Sequence, residues 1–356
     1  MRSIRAFLEA EIAEGTFPGA AALVGTADAI VALEAAGSAA VEPVRRDLTA
    51  ETPFDLASLT KPLCVGAICR EAARSLPLDA APGRFLPEWK KSRFEGITLE
   101  RLLTHTSGLD AWYPLYARGE GAAAYRRTLA EMEPVSPPGE RVLYSDLNSL
   151  LLTEILEIAL AAPLDRVFDE LVARPARSGA RFLPDAHVLP AATEKGDRLE
   201  RAMTEARGLS YARFRDGVVC GEVHDGNAFR RGGVSGNAGL FGTAEDVWRL
   251  ARRWLEPDAV GWAQDRTGEL SEARGLAWQG RRGAGSAIPE MSPRSFGHTG
   301  FTGTSLWIDP GAADGGGAGE PVGRVAILLT NRIHPVVREI AFNEVRQRFH
   351  AAVWAA

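Results

Sequence analysis

The sequence predicts an α+β fold: an antiparallel sheet of about five strands built from both ends of the chain, flanked by helices, with a mostly helical region inserted between. Three observations carry this. Strand-like apolar runs lie near both termini, helical patterns sit at both ends, and the long middle is helical and loop-rich. The sheet-bearing layer is assigned to residues 1–75 and 232–356, and the helical insertion to residues 76–231. At 356 residues the chain exceeds the usual single-domain size, which such an insertion accommodates.

The elements follow in chain order. Residues 3–14 read as a short amphipathic helix, and "GAAALVG" (19–25) and "AIVALEAAG" (29–37) are close enough to pair as a hairpin. "FDLASLTKPLCV" (54–65) leads into a helix predicted over 58–72, with Pro62 near its first turn, where missing amide donors matter least. "ITLERLLTHTSG" (97–108) reads as a helix with Thr98 at its N-cap and Gly108 past its end. Residues 136–162 give a turn, a short extended piece and a long helix. Near the far end, "TSLWIDP" (304–310) and "RVAILLTNR" (324–332) are strand-like, separated by a flexible 311–323, and a terminal helix is predicted from Pro335 to Trp354.

Composition narrows the class of partner. With 46% hydrophobic and 24% charged residues the chain is an ordinary globular protein, and a formal charge of −5 without a basic run argues against nucleic acid. Cys64, Cys69 and Cys220 form no metal-type spacing and no disulfide framework, so they read as buried thiols of a reducing compartment. Near the N-terminus, Glu9, Glu11 and Glu14 precede an apolar stretch broken by Pro18 and Gly19. It reads as neither signal peptide nor membrane span, and a cytoplasmic location is expected. None of the six histidines has the spacing of a zinc motif, so no metal is expected.

Lys61 is one of four lysines, placed three residues after Ser58 in an apolar segment. On a helix the two side chains share a face, so the amine reaches the hydroxyl. Burial lowers a lysine's pKa towards the range of a general base. The pair therefore supplies a nucleophile and its base. The bland alternative, a surface lysine beside an unrelated serine, is weakened by the apolar run on both sides.

Two further segments extend the set: "VLYSDLN", with Tyr144 just before a helix, and "FGHTGFTGTSLWIDP", with His298, Thr299 and Gly300 at the start of a strand. Ser-x-x-Lys, then Tyr, then a His-Thr-Gly triplet, in this order, resembles the serine β-lactamase and penicillin-binding protein superfamily. "LLTHTSGL", "GEVHDGNA" and "GGVSGNAGLFGTAEDV" are similar to segments of its class C and esterase branch, so the resemblance covers nearly the whole chain. It implies a β-lactamase/transpeptidase-like fold and an acyl-enzyme on Ser58, with Lys61 as base and Tyr144 assisting proton transfer under a pKa depressed by Lys61. The oxyanion would be held by the N–H groups of Ser58 and Phe301. No cofactor is implied, and the partner is a small ester, amide or peptide substrate.

Two positions depart from the family pattern. His298 stands where the triplet has lysine, and Asp146 where the family has asparagine. Both changes disfavour an anionic acylamide substrate and point to esters or uncharged amides. A β-lactamase or D-amino-acid peptidase is the alternative, and a non-catalytic penicillin-binding-like sensor is the alternative of another class. Without the resemblance each residue has a plainer reading. Tyr144 is a core aromatic, Asp146 the N-cap of the helix from Leu147, His298 a structural histidine, and Thr299 and Gly300 parts of a turn. His105 and His224 read as structural; Trp112 and Tyr113 are candidate pocket aromatics or core filler.

Overall fold

A computed structural model describes residues 4–91, 96–185, 187–311 and 323–354. Its strands are β1 (Gly19–Gly25), β2 (Ile30–Ala40), β3 (Arg46–Asp47), β4 (Phe54–Asp55) and β5 (Arg181–Phe182), then β6 (Leu240–Gly242), β7 (Gln279–Gly280), β8 (Phe296–Thr299), β9 (Ser305–Asp309) and β10 (Arg324–Thr330). Seven form one sheet in the order β3-β2-β1-β10-β9-β8-β7, and β4-β6-β5 form a second, small one. The pairings of the large sheet are antiparallel. The expected count of five is thus corrected to seven. The two additions, β3 and β7, are two-residue edge strands, too short to show an alternating pattern.

The two ends of the chain meet at the middle of this sheet. Strand β1 pairs with β10, from Ala20 opposite Thr330 to Gly25 opposite Val325, and β1 also pairs with β2 as a hairpin. Side chains alternate across these strands. Ala20, Ala22, Ala326 and Leu328 face a cluster with Phe7, Leu8, Phe342, Val345 and Phe349, contributed by the helices Ile4–Ala13 and Phe342–Trp354. Ala21, Leu23, Val325, Ile327 and Leu329 face the main core, with Leu63, Cys64 and Ile68. A sheet covered on both faces reads as unbroken apolar runs, which is what "GAAALVG" and "RVAILLT" are.

Several boundaries differ from the sequence reading. The segment predicted as one helix over 58–72 is a 3-10 turn at Ala57–Leu59, a π-helical stretch at Lys61–Gly66 and an α-helix at Ala67–Glu71. Pro62 lacks the N–H that would bond to the carbonyl of Ser58, so the ordinary α ladder cannot start there. The helix after Thr98 spans only Leu99–Leu103, because His105 adopts a left-handed φ of 56°. The terminal helix begins at Phe342, seven residues after Pro335. Thr299 ends β8 and does not start a strand; β9 begins at Ser305. Most of the segment expected to be flexible, 312–322, lies outside the described residues. Among the described residues, no single helix is long and apolar enough to cross a membrane.

Candidate active site

Ser58 is delivered by the small sheet. Leu56 N donates to Leu240 O at 2.9 Å and Leu240 N to the Thr60 hydroxyl at 3.2 Å, fixing both sides of the Ser58 segment to β6. Between them Ala57 has a left-handed φ of 47°, a costly conformation for a residue with a Cβ. Buried Asp55 holds that turn: one carboxylate oxygen accepts from Ala57 N and the other from His224 N, both at 2.8 Å.

Lys61 lies directly behind Ser58, 1% exposed. Its ammonium has three hydrogens and three acceptors: Ser58 Oγ at 2.8 Å, the carbonyl of Asn237 at 2.9 Å and Asp146 Oδ1 at 2.7 Å. Burial is the largest single influence and pushes the lysine pKa down, but the charge and hydrogen bond of Asp146, together with the Tyr144 hydroxyl, outweigh it in sum, and the net shift is upward. The expected depression of Lys61 is therefore reversed, and in the resting protein Lys61 is a cation.

Asp146 is not a helix cap. Ser145 occupies the N-cap position of the helix Asp146–Ala159, without a side-chain capping bond, and Asp146 is its first residue. Its carboxylate is spent on Lys61. The segment is pinned by Asp146 N donating to Ala111 O, Ser145 N donating to His105 Nδ1 and the Ser145 hydroxyl donating to Asp110 O. His105 is thus structural, as its sequence suggested, and its ring packs 4.7 Å from that of Tyr144.

Tyr144 faces the same site. Lys61 Nζ sits 5.1 Å from its ring centroid, with Arg274 at 5.5 Å. Burial raises the phenol pKa more than Lys61 lowers it, so the expected depression does not occur and Tyr144 is a neutral donor. His298 packs 5.7 Å from the Tyr144 ring. Its Nδ1 is 2.9 Å from Thr299 O, and its Nε2 is buried without a partner among the described residues. Burial, then Lys61 and Arg274, holds its pKa well below the usual histidine value. The position that carries a lysine in the triplet is here a neutral imidazole with a bare lone pair.

The turn from Gly300 to Thr304 is tied to the Ser58 segment. Thr302 and Thr304 donate from their hydroxyls to Asp55 O and Leu56 O, at 2.9 and 3.0 Å. Glycine is required at 300: a Cβ there would lie 2.1 Å from Thr304 Oγ1 and 2.8 Å from Leu56 O. Among the described residues, neither Ser58 N–H nor Phe301 N–H has a partner within the protein.

These groups share a cavity of about 530 Å³, lined by Ser58, Tyr144, Asp146, His298, Thr299, Gly300 and Phe301. Trp112 lines it as well, whereas Tyr113 does not. One wall is acidic, with Glu200 and Asp225; burial, then Asp225, pushes the Glu200 carboxyl up to about 7. His224 also lies on this wall, stacked 5.6 Å from the Phe301 ring, and pairs with Glu194 at 2.9 Å. Arg274, Arg332 and Arg346 line the cavity as well. Arg274 pairs with Glu272, but among the described residues neither Arg332 nor Arg346 has a carboxylate partner. Sequence reasoning missed these arginines, since nothing in "TNRIHP" or "NEVRQRF" marks a side chain as turned to a distant serine.

A serine, a lysine and a tyrosine gathered at one cavity on this fold define a protein of the β-lactamase and penicillin-binding type of serine hydrolase. The Beta-lactamase family profile matches residues 4–348, and the chain belongs to that family. A relative from Escherichia coli (strain K12), assigned by name to the D-alanyl-D-alanine carboxypeptidases, is 30% identical over 310 residues, covering 76% of this chain and 68% of its own. The N-acetylmuramyl-L-alanine amidase of Bacillus subtilis (strain 168) is 28% identical, covering 95% of this chain and 82% of its own. Among solved structures, EstCE1, a hydrolase with promiscuous acyltransferase activity, superposes with a TM-score of 0.71 at 20% identity, covering 97% of each chain. That similarity shows the shared fold.

Proposed function

We propose that the protein is an acyl-transfer hydrolase that cleaves a small ester or amide through an acyl-enzyme on Ser58. One observation carries this reading: Lys61 Nζ lies 2.8 Å from Ser58 Oγ at the wall of a cavity large enough for a small substrate. Ser58 Oγ attacks the carbonyl, the N–H groups of Ser58 and Phe301 receive the oxyanion, and Tyr144 gives a proton to the leaving group. Water then releases the acyl group by the reverse path. A carboxypeptidase and an amidase among the named relatives, and a hydrolase among the structural neighbours, support acyl chemistry on esters or amides.

The test is labelling with a fluorophosphonate and turnover of a short p-nitrophenyl ester, by wild type and Ser58→Ala. A mass adduct on wild type alone is expected, with a burst followed by steady release. Equal labelling of Ser58→Ala overturns the reading, and an acyl adduct from the ester that never hydrolyses favours the non-catalytic sensor.

A second reading, a peptidase acting on peptides that end in a free carboxylate, is favoured by Arg332 and Arg346. They supply in the same cavity the positive charge that neutral His298 does not. A D-alanyl-D-alanine peptide and a chromogenic cephalosporin run beside the ester separate the two readings.

A further inference from the structure

The lysine expected to act as the base has no lone pair to offer. All three of its N–H groups are donated, to Ser58 Oγ, Asn237 O and Asp146 Oδ1. An ammonium so placed takes the serine proton only if it gives one up in the same step. Asn237 O is a peptide carbonyl and does not accept a proton at any ordinary pH. Asp146 is a carboxylate, 2.7 Å away, held at the first position of a 14-residue helix where the backbone dipoles favour its charge.

We infer that Asp146 is the positioning residue that takes up the proton leaving Ser58, passed through Lys61. The inference rests on the acyl-enzyme reading above. As Ser58 Oγ bonds to the carbonyl carbon, its proton moves to Lys61 Nζ while a second Nζ proton moves to Asp146 Oδ1. The carbonyl π pair becomes the oxyanion. Lys61 stays an ammonium beside the new negative charge, and Asp146 is left neutral. When the intermediate collapses, the bond to the leaving group breaks with its electron pair. The leaving atom takes the Tyr144 proton; Lys61, which also interacts with the Tyr144 hydroxyl, gives a proton to the phenolate and recovers one from Asp146. Protons and charge balance without any outside reactant.

Asparagine at this position leaves the lysine without a counter-charge, so a neutral amine can serve as base directly. With aspartate the amine is never free. The substitution thus changes where the base resides, in addition to which substrate is repelled. The charged and titratable groups facing Asp146 and Lys61 are Tyr144, Asp225, His105 and His298, with Arg274 over the Tyr144 ring. Burial raises the Asp146 carboxyl above its usual value, Lys61 supports its charge and Asp225 opposes it, so the group is a better proton acceptor than a free aspartate. Burial of both histidines keeps them neutral, so neither competes for the proton near pH 7.

The experiment is the pH profile of acylation, read as the p-nitrophenol burst rate, for wild type, Asp146→Asn and Asp146→Glu. Wild type is expected to be flat from neutral to mildly alkaline pH and to fall on the acid side as the carboxylate protonates. Asp146→Asn is expected to lose about 100-fold at pH 7, the scale of a displaced general base. Its rate then climbs about tenfold per pH unit as Lys61 deprotonates. Asp146→Glu keeps a carboxylate and is expected to retain the flat neutral region at a lower rate. A wild-type rate and profile in Asp146→Asn overturns the inference. If that variant does not fold, an alkaline limb in Asp146→Glu overturns it instead. Equal labelling of Ser58→Ala marks failure of the underlying reading, a different outcome.

Discussion

The hydroxyl of Thr304 donates to the carbonyl of Leu56 at 3.0 Å, joining the turn that carries Phe301 to the peptide two residues before Ser58. The two proposed oxyanion donors are on segments more than 240 residues apart in sequence, so their spacing depends on such cross-links. Thr304→Val keeps the shape and removes the hydroxyl. The Leu56 carbonyl keeps Leu59 N as a donor at 3.1 Å, so losing the hydroxyl costs about 0.5–1.5 kcal/mol of stability. In activity assays kcat is expected to fall about tenfold with little change in KM; an unchanged kcat beside the stability loss would show that the turn is held by other means.

Tyr144 is a neutral phenol, so its contribution depends on how much the leaving group needs a proton. Tyr144→Phe is expected to slow amide cleavage about 10² to 10⁴-fold, and to slow release of p-nitrophenolate, which leaves as an anion, far less. Parallel kcat/KM values for an anilide and its p-nitrophenyl ester check this. Equal losses on both substrates would remove Tyr144 from leaving-group protonation.

Glu200 provides a pH dependence of stability. Its carboxyl is raised from 4.5 to about 7 by burial, then by Asp225. The folded state therefore binds the proton more tightly than the unfolded chain. This contribution is fully present below pH 4.5 and is lost as pH rises through 7, amounting to about 3 kcal/mol over the interval. Glu200→Gln is expected to remove that slope, gaining stability relative to wild type at pH 8.5 but not at pH 4. Urea unfolding at both pH values measures it, and a slope that survives the substitution assigns it elsewhere.

Arg346 is buried, with Nε unpartnered among the described residues and one NH2 group donating to Gly300 O and Thr304 O. Burial, then Arg332, lowers its pKa to about 9, which still leaves it charged at neutral pH. Arg346→Gln is expected to raise KM about tenfold for a substrate ending in a carboxylate and to leave a neutral ester's KM within a factor of about two. That ratio follows from losing one charge-assisted contact. A parallel rise for both substrates points to distortion of the β8–β9 turn.

Much of the architecture was legible in the chain. Period-two alternation is weak in β1 and β10, but their apolar runs and their places at opposite ends already imply a sheet closed by the termini. Ser58, Lys61 and Tyr144 were legible as a set because residue type and order are properties of sequence. The edge strands β3 and β7, and the broken helix after Ser58, were not. Short segments carry no period, and Pro62 at the start of a helix is compatible with several ladders.

What the linear order determined was the identity of the groups proposed to react and the layered fold that displays them. What only the tertiary structure decided was their charge. Lys61 was expected to be a poised amine because burial disfavours an ammonium, and it is a held cation because Asp146, 85 positions away in sequence, comes within 2.7 Å. Desolvation can be guessed from the apolar neighbours along a chain. Coulomb energy varies with distance in space, and that distance comes into being only when the chain folds.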